Sequence, residues 1–337
     1  MQMKTTSFDL EEERLKKEIG KRKAKIVLVQ LPEGLKAEGP RLATIIEDAG
    51  ALAIVSADPC YGACDLALSD AESLGADLIV HYGHSPQTKQ ERVPTIYLEA
   101  RAKMSVKEAV EKAISLLEPW SSIGLVATVQ HVHKLYEAKI LLLKAGKTVS
   151  IGDTGLVKYP GQVIGCNFSN AQSVSEEVEA FLFIGGGRFH AMGVALTTTK
   201  PTIIADPYEK RAYPIHDEVP RILKQRWASI SEAKGTENFG VLIGLKSGQK
   251  RIEEAVKIRG KIQKSGRKAT LLALGEITSN ALMQFPNIDA FVNTACPRLS
   301  LDDTPNFLRP ILSLSEALVM LGEMDWEELC RKGWFEN

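Results

Sequence analysis

The chain has 337 residues, 44% of them hydrophobic and 25% charged, and its 42 basic and 42 acidic side chains cancel to a formal net charge of zero. That is enough chain for two or three domains with their own cores, and the neutral balance gives no electrostatic case for direct nucleic-acid binding, which needs a clustered basic face. No apolar run approaches the roughly 20 residues that span a bilayer, and the charged stretch from Met1 to Lys25 has no signal-peptide core. The expectation is a cytoplasmic protein without a membrane partner, in which an odd set of five cysteines is not a disulfide framework.

Residues 8–23, with Phe8, Leu10, Leu15 and Ile19 among Glu, Arg and Lys, predict an amphipathic leading helix. Lys25 to Gln30 reads as a buried strand, followed by a helix that Gly50 stops. Ala51 to Ser56 predicts a second strand and Asp65 to Ser73 a helix. Ala76 to Val80 and Pro94 to Leu98 give a third and a fourth strand. The same order recurs: strand Ile123 to Ala127, helix Val132 to Ala145, strand Thr148 to Gly152, strand Ala180 to Ile184, then Pro201 to Ile204. A third pass runs strand Phe239 to Ile243, helix Gln249 to Ser265, strand Ala269 to Ala273, a short helix Ser279 to Gln284, strand Ile288 to Val292, and Arg309 to Leu312.

The third strands align by eye as Ala-Asp-Leu-Ile-Val, Val-Glu-Ala-Phe-Leu-Phe-Ile and Ile-Asp-Ala-Phe-Val. A period of about 110 residues is too long for a solenoid unit, and alternating strands and helices predict parallel sheets with right-handed crossovers. The fold class is therefore α/β, with three homologous small domains at residues 1–120, 121–235 and 236–337, one each for Cys64, Cys166 and Cys296. Ligands in such sheets sit beyond the carboxyl ends of the strands, where all three cysteines fall. Cys64 and Cys166 follow second strands and Cys296 a third, so the repeat is imperfect there.

Spacing alone leaves two readings of these thiols open: buried apolar side chains, or a shared zinc or iron–sulfur site. Small and turn residues flank them (Gly62, Ala63, Gly165, Ala295, Pro297), as a bulky inorganic group requires. Cys60 and Cys64 form a CxxxC without the third cysteine of ordinary radical S-adenosylmethionine enzymes, and Cys330 belongs to a C-terminal amphipathic helix. Gly146-Lys147-Thr148 follows a helix instead of preceding one and is no phosphate loop. Gly185-Gly186-Gly187-Arg188-Phe189-His190 follows a strand, where glycines let a ligand approach the backbone, or serve as a flexible turn. His81/His84 and His131/His133 lack the i, i+4 spacing of a helical zinc site and read as cleft lining or caps. Asp206 and the pair Asp302-Asp303 are turn residues at strand ends, placed to hold charged groups of a ligand.

Taken together, Tyr-Gly-Ala-Cys-Asp at 61–65, Pro-Gly-Gln-Val-Ile-Gly-Cys-Asn at 160–167 and Ala-Cys-Pro-Arg-Leu-Ser-Leu-Asp-Asp at 295–303 resemble the archaeal Dph2 family of diphthamide synthases. Leu31 to Leu35, Gly83 to Ser85, Gln130 to His133, the Gly185 to His190 loop and Asp206 to Tyr208 extend the resemblance over nearly the whole chain. It implies three α/β domains in a triangle around a central cluster, a homodimer, and one 4Fe–4S cluster per subunit on Cys64, Cys166 and Cys296. Cys60 departs from the family pattern and takes no role from it. The implied chemistry is noncanonical radical chemistry on S-adenosylmethionine, started by an electron donor and breaking the bond from sulfur to methionine Cγ. A 3-amino-3-carboxypropyl radical then adds to imidazole C2 of one histidine of translation elongation factor 2. Gly185, Gly186, Gly187, Arg188, His190 and Asp206 are the groups expected to orient S-adenosylmethionine. A competing reading is a binding module without catalysis, in which metal-bound cysteines only staple three domains. A nucleotide-sugar or dinucleotide enzyme is disfavoured by the missing glycine fingerprint.

Overall fold

The computed structural model describes residues 7–87, 92–301 and 306–335; the Asp302-Asp303 pair lies outside them. A two-residue strand, β1 (Phe8–Asp9), precedes the leading helix Glu12–Arg22. The first sheet is built from β2 (Ile26–Gln30), β3 (Leu52–Val55), β4 (Leu78–Tyr82) and β5 (Thr95–Leu98), after which β6 (Arg101–Ala102) pairs back onto β1. The second contains β7 (Ser122–Ala127), β8 (Thr148–Ser150), β9 (Ala180–Ile184), β10 (Thr202–Asp206) and β11 (Arg211–Pro214). The third contains β12 (Asn238–Gly244), β13 (Lys268–Leu274), β14 (Ala290–Asn293) and β15 (Ile311–Leu312).

The three sheets share one topology. Their orders are β3-β2-β4-β5, β8-β7-β9-β10-β11 and β13-β12-β14-β15, so each copy places its strands as second, first, third, fourth. Within these three sheets all pairings are parallel except β10 with β11, and the separate β1–β6 pair is antiparallel. The near-continuous apolar runs of the central strands are the mark of parallel strands covered on both faces. The aligned acidic residue before each third strand explains the repeat locally. Asp77 accepts from the backbone N–H of Lys25 and Ile26, Glu179 from Ser121 and Ser122, and Asp289 from Asn238. Each carboxylate thus ties the start of a third strand to the start of the first.

The differences from the sequence reading have local causes. The helix expected from Gln249 begins only at Ile252, because Leu245 to Arg251 is a loop whose Gly248 N–H donates to Cys64 O at 2.7 Å. The strand expected to reach Gly152 ends at Ser150; a side chain at Gly152 would meet the Asn170 carbonyl oxygen at 1.8 Å. The antiparallel β11 and the helices Lys107–Leu116, Phe189–Thr198, Val219–Lys234 and Leu314–Leu321 add to the elements read from the sequence. Among the described residues no helix is long and apolar enough to cross a membrane.

Each unit touches the other two. Units one and two meet where Gln130 Nε2 donates to Gly83 O and Gln162 Nε2 to Ser85 Oγ. Units two and three share a core in which Phe168 and Phe335 pack with centroids 4.7 Å apart. Within it, Arg226 (1% exposed) and Glu316 (0%) form a buried pair. Glu316 accepts from Arg226 Nε and Nη2, Trp334 Nε1 and Ser313 N, each at 2.7 Å, so the carboxylate is fully satisfied. Between units one and two, buried Glu99 accepts from Lys158, Tyr159 and Arg101.

Two predictions follow from these ties. Glu316→Ala strands a buried guanidinium and should lower unfolding free energy by about 3–5 kcal/mol, read from the urea midpoint. Burial pushes the Glu99 carboxyl up, but Lys158, Tyr159 and Arg101 together hold it below its ordinary value. Its stabilising contribution is therefore present above the usual carboxyl range and lost as pH falls through and below it. Glu99→Gln should lower stability at neutral pH and flatten the acid limb of a stability–pH curve.

Candidate metal centre

Three strand-end loops carry the three cysteines. Cys64 sits in a single 3-10 turn, Ala63–Asp65, after β3. Its loop is pinned to unit three, where Leu66 N–H donates to Ser247 Oγ at 3.1 Å and Lys246 Nζ meets Asp65 at 2.9 Å. The approach is so close that a Cβ on Gly248 would lie 2.6 Å from Cys64 Cα. Cys166 occupies a tight turn closed by reciprocal backbone bonds between Ile164 and Asn167, 3.1 and 3.2 Å. Gly165 is required there because an added Cβ would meet the Phe189 ring at 2.7 Å. Cys296 follows β14 and precedes helix Pro297–Leu301. Asn293 shapes this loop, accepting from Ala295 N and donating to Cys296 O and Ser300 Oγ.

The three thiols act on one another. Burial above all pushes the Cys296 thiol up to about 12, with the charges of Cys64 and Cys166 adding to it. Cys166 is pushed up to about 11 by burial and then by Cys64, against the Arg251 charge. Cys64 is raised by burial and opposed by Gln249, whose Nε2 lies 3.5 Å from its sulfur. Gln87 Nε2 stands 4.0 Å from Cys166 Sγ. Buried thiols of which Cys64 disfavours ionisation of Cys166, and both disfavour that of Cys296, form a site that a bound cation would stabilise, by offsetting both burial and repulsion. Three thiolates with amide donors nearby suit an iron–sulfur cluster that keeps one iron free of protein ligands.

Cys60 is turned elsewhere, its ligand atom within 4.8 Å of those of His81 and His84. Cys330, in helix Trp326–Lys332, feels burial and then Glu327, not the other thiols. A cavity of about 320 Å³ opens beside Cys296, lined among others by Tyr61, Lys246, Gln249, Glu276 and Arg298. The Arg298 guanidinium lies over the Phe189 ring at 4.9 Å, bridging the Cys296 and Cys166 segments. The glycine loop comes alongside through the same Phe189. There Gly186 abuts Tyr208, Arg188 pairs with Glu218, His190 stacks on Phe183 at 6.1 Å, and Asp206 accepts from Tyr208 N and Glu209 N. His131 contacts Tyr208, 3.1 Å from its hydroxyl, and does not join His81 and His84. Sequence reading missed Lys246, Gln249, Arg251 and Arg298. Their signal was position, since the loop after β12 is another strand carboxyl end.

Parallel α/β units whose strand ends bring three thiol loops together beside a ligand-sized cavity describe an α/β protein with a candidate metal site between its units. The chain belongs to the diphthamide synthesis protein family: the family model described as "Putative diphthamide synthesis protein" matches residues 31–330. It is 38% identical over 318 residues to a 2-(3-amino-3-carboxypropyl)histidine synthase of Pyrococcus horikoshii, covering 93% of this chain and 91% of that one. It is 32% identical to subunit 1 of the Bos taurus synthase, over 90% of this chain and 70% of the relative. The crystal structure of Dph2 from Pyrococcus horikoshii with a 4Fe-4S cluster superposes with a TM-score of 0.88 at 36% identity, covering 98% of this chain and 94% of that one.

The packing of Gly248 on Cys64 can be tested directly. Gly248→Ala should cost about 1–3 kcal/mol by overpacking and raise the alkylation rate of Cys64 severalfold, measured by peptide mass analysis.

Proposed function

We propose that this protein is a transferase that takes the 3-amino-3-carboxypropyl group of S-adenosylmethionine to imidazole C2 of one histidine in translation elongation factor 2, the first step of diphthamide formation. One observation carries the reading: the loops of Cys64, Cys166 and Cys296, 102 and 232 residues apart along the chain from the first, come together, with Gly248 N–H of the third unit on Cys64 O at 2.7 Å and Cys166 lining one cleft with Asn293 to Ala295 and Pro297. In this reading they hold a 4Fe–4S cluster. A cluster held by these thiols would supply one electron to the sulfonium, breaking the bond from sulfur to methionine Cγ with methylthioadenosine as the leaving group. Once the carbon–carbon bond to imidazole C2 has formed, the C2 proton would leave to a base and the odd electron would return to the oxidised cluster.

The chain's own residues bind and orient. The cavity beside Cys296 takes the methionine half, with Arg298 facing its carboxylate and Glu276 its amino group. Gly185, Gly186 and Gly187, with Arg188, His190 and Asp206, take the adenosine side, where bare backbone allows close approach. Gln249 and Gln87 point amide N–H groups at the sulfurs of Cys64 and Cys166, and hydrogen bonds to sulfur tune a cluster's potential. The reading includes a cytoplasmic homodimer and an external electron donor.

The test is anaerobic reconstitution with iron and sulfide, followed by dithionite, S-adenosylmethionine and elongation factor 2. The protein should turn brown, release methylthioadenosine and add one 3-amino-3-carboxypropyl mass to the factor. Cys166→Ala should lose colour and reduce turnover at least a hundredfold, while Cys330→Ser keeps both. A colourless protein with stoichiometric zinc at these thiols, or a brown one that releases no methylthioadenosine, supports a metal-stapled binding module instead.

A further inference from the structure

In the first sheet β2 lies between β3 and β4, so the crevice between the carboxyl ends of β2 and β4 is its topological switch point, the place where open α/β sheets bind ligands. Gln30 and His81 are register partners there. Cys60 (2% exposed) and His81 (0%) are buried and His84 is half-buried, and their ligand atoms lie within 4.8 Å of one another.

The chain is shaped to bring the two imidazoles together. Gly83, between them, has φ 82°, and a Cβ on it would meet Pro32 Cγ at 2.9 Å. The turn sets His84 Nδ1 2.9 Å from His81 Nε2. The Gln30 amide fixes the tautomer of His81. Gln30 Nε2 donates to Asp65 O at 2.6 Å and Gln30 Oε1 accepts from Ala67 N at 3.2 Å. The oxygen is therefore the atom 2.8 Å from His81 Nδ1, so Nδ1 carries the proton and donates. His81 Nε2 is left unprotonated, accepting from His84 Nδ1 at 2.9 Å, with the Cys60 sulfur within 4.8 Å. A metal-ligating histidine is oriented in this way, by a hydrogen bond from its other nitrogen.

We propose that Cys60, His81 and His84 form a second metal site, separate from the three-thiol centre, for a divalent cation of the zinc class. One sulfur and two imidazole nitrogens in a buried pocket match the donor preference of zinc. The Glu33 carboxylate, which accepts from Cys60 N at 3.3 Å, or a water completes four ligands. Binding costs two proton movements: the Cys60 thiol proton leaves to solvent, and the His84 proton moves from Nδ1 to Nε2. The metal would then tie the switch point to the Cys60 to Asp65 loop and so fix the position of Cys64. The bland alternative is a buried thiol packed beside a histidine–histidine hydrogen bond.

The experiment uses the full chain with Cys64, Cys166, Cys296 and Cys330 each changed to Ser, so that Cys60 is the one remaining thiol and any cluster at the other centre is removed. Titration with Co2+ should give one equivalent of intense tetrahedral visible bands and a thiolate charge-transfer band, both displaced by Zn2+. Adding Cys60→Ser should abolish the charge-transfer band, and adding His84→Ala should weaken Co2+ binding at least tenfold. Zn2+ should raise the thermal midpoint of the four-Ser chain but not of its Cys60→Ser derivative, as ligand linkage requires. No Co2+ band, a charge-transfer band that survives Cys60→Ser, or a Zn2+ shift equal in both chains overturns the proposal. The outcome is independent of the reaction proposed above, because the three thiols that reaction needs are absent from the tested chain.

Discussion

The hydrogen bond from Gly248 N–H to the carbonyl of Cys64, 2.7 Å long, is the contact on which the centre depends. It joins two units of the chain at a separation where no side chain fits, and everything else at the site is arranged around that closeness. Because the loop after β12 reaches Cys64 by its backbone, Gln249 comes to the sulfur and Lys246 to Asp65. The same loop starts from the strand whose neighbour, β14, delivers Cys296. Two of the three thiols are therefore located by one loop, and the third is located by the Phe189 and Arg298 contact across the shared core. Parallel sheets make this possible. Their carboxyl ends all face one way within a unit, so units that dock by those ends bring their strand-end loops into contact.

Such convergence is unfavourable for the thiols taken alone. Burial raises each of them; Asp65 adds repulsion at Cys64, Cys64 at Cys166, and Cys64 and Cys166 at Cys296. The protein offsets this only in part: Arg251 and Arg298 contribute positive charge and Gln249 and Gln87 contribute amide donors. A site that its own residues leave incompletely compensated is one that a bound cation would stabilise. This is a different strategy from the Arg226 and Glu316 pair. There the chain supplies both charges and every hydrogen bond, and the pair holds units two and three together with no outside partner.

Much of this was legible in the sequence, and for identifiable reasons. The central strands were found to within a residue or two because a parallel strand buried on both faces writes itself as an apolar run. The repeat was visible because Asp77, Glu179 and Asp289 perform the same backbone capping in each unit, and so had to fall at equivalent places. The cysteines stood out because small residues flank them, and Gly165 is small for a reason the structure gives, the Phe189 ring against it. What stayed illegible depends on docking between units. Nothing in Lys246 to Arg251 distinguishes a loop that grips Cys64 from the first turn of a helix, and the pattern continues without a break into Ile252. The shared core of units two and three was hidden for the same reason, since a helix such as Val219–Lys234 carries no mark of which sheet it covers.

The CxxxC of Cys60 and Cys64 shows how far apart two neighbouring cysteines can be in function. Three residues separate them, yet a buried Cys60 faces inward to the switch point of its own sheet, while Cys64 faces outward to the other two units. The 3-10 turn Ala63–Asp65, which carries Cys64 itself, redirects the chain after Cys60. Asp65 links the two sides: its carbonyl fixes the Gln30 amide that orients His81, and its carboxylate holds Lys246 of unit three. A change in the inner cluster therefore has a short, hydrogen-bonded path to the outer one. Local spacing could not show it, because the path runs through a backbone carbonyl and a side-chain amide that meet only when β2 and the Cys64 loop are folded together.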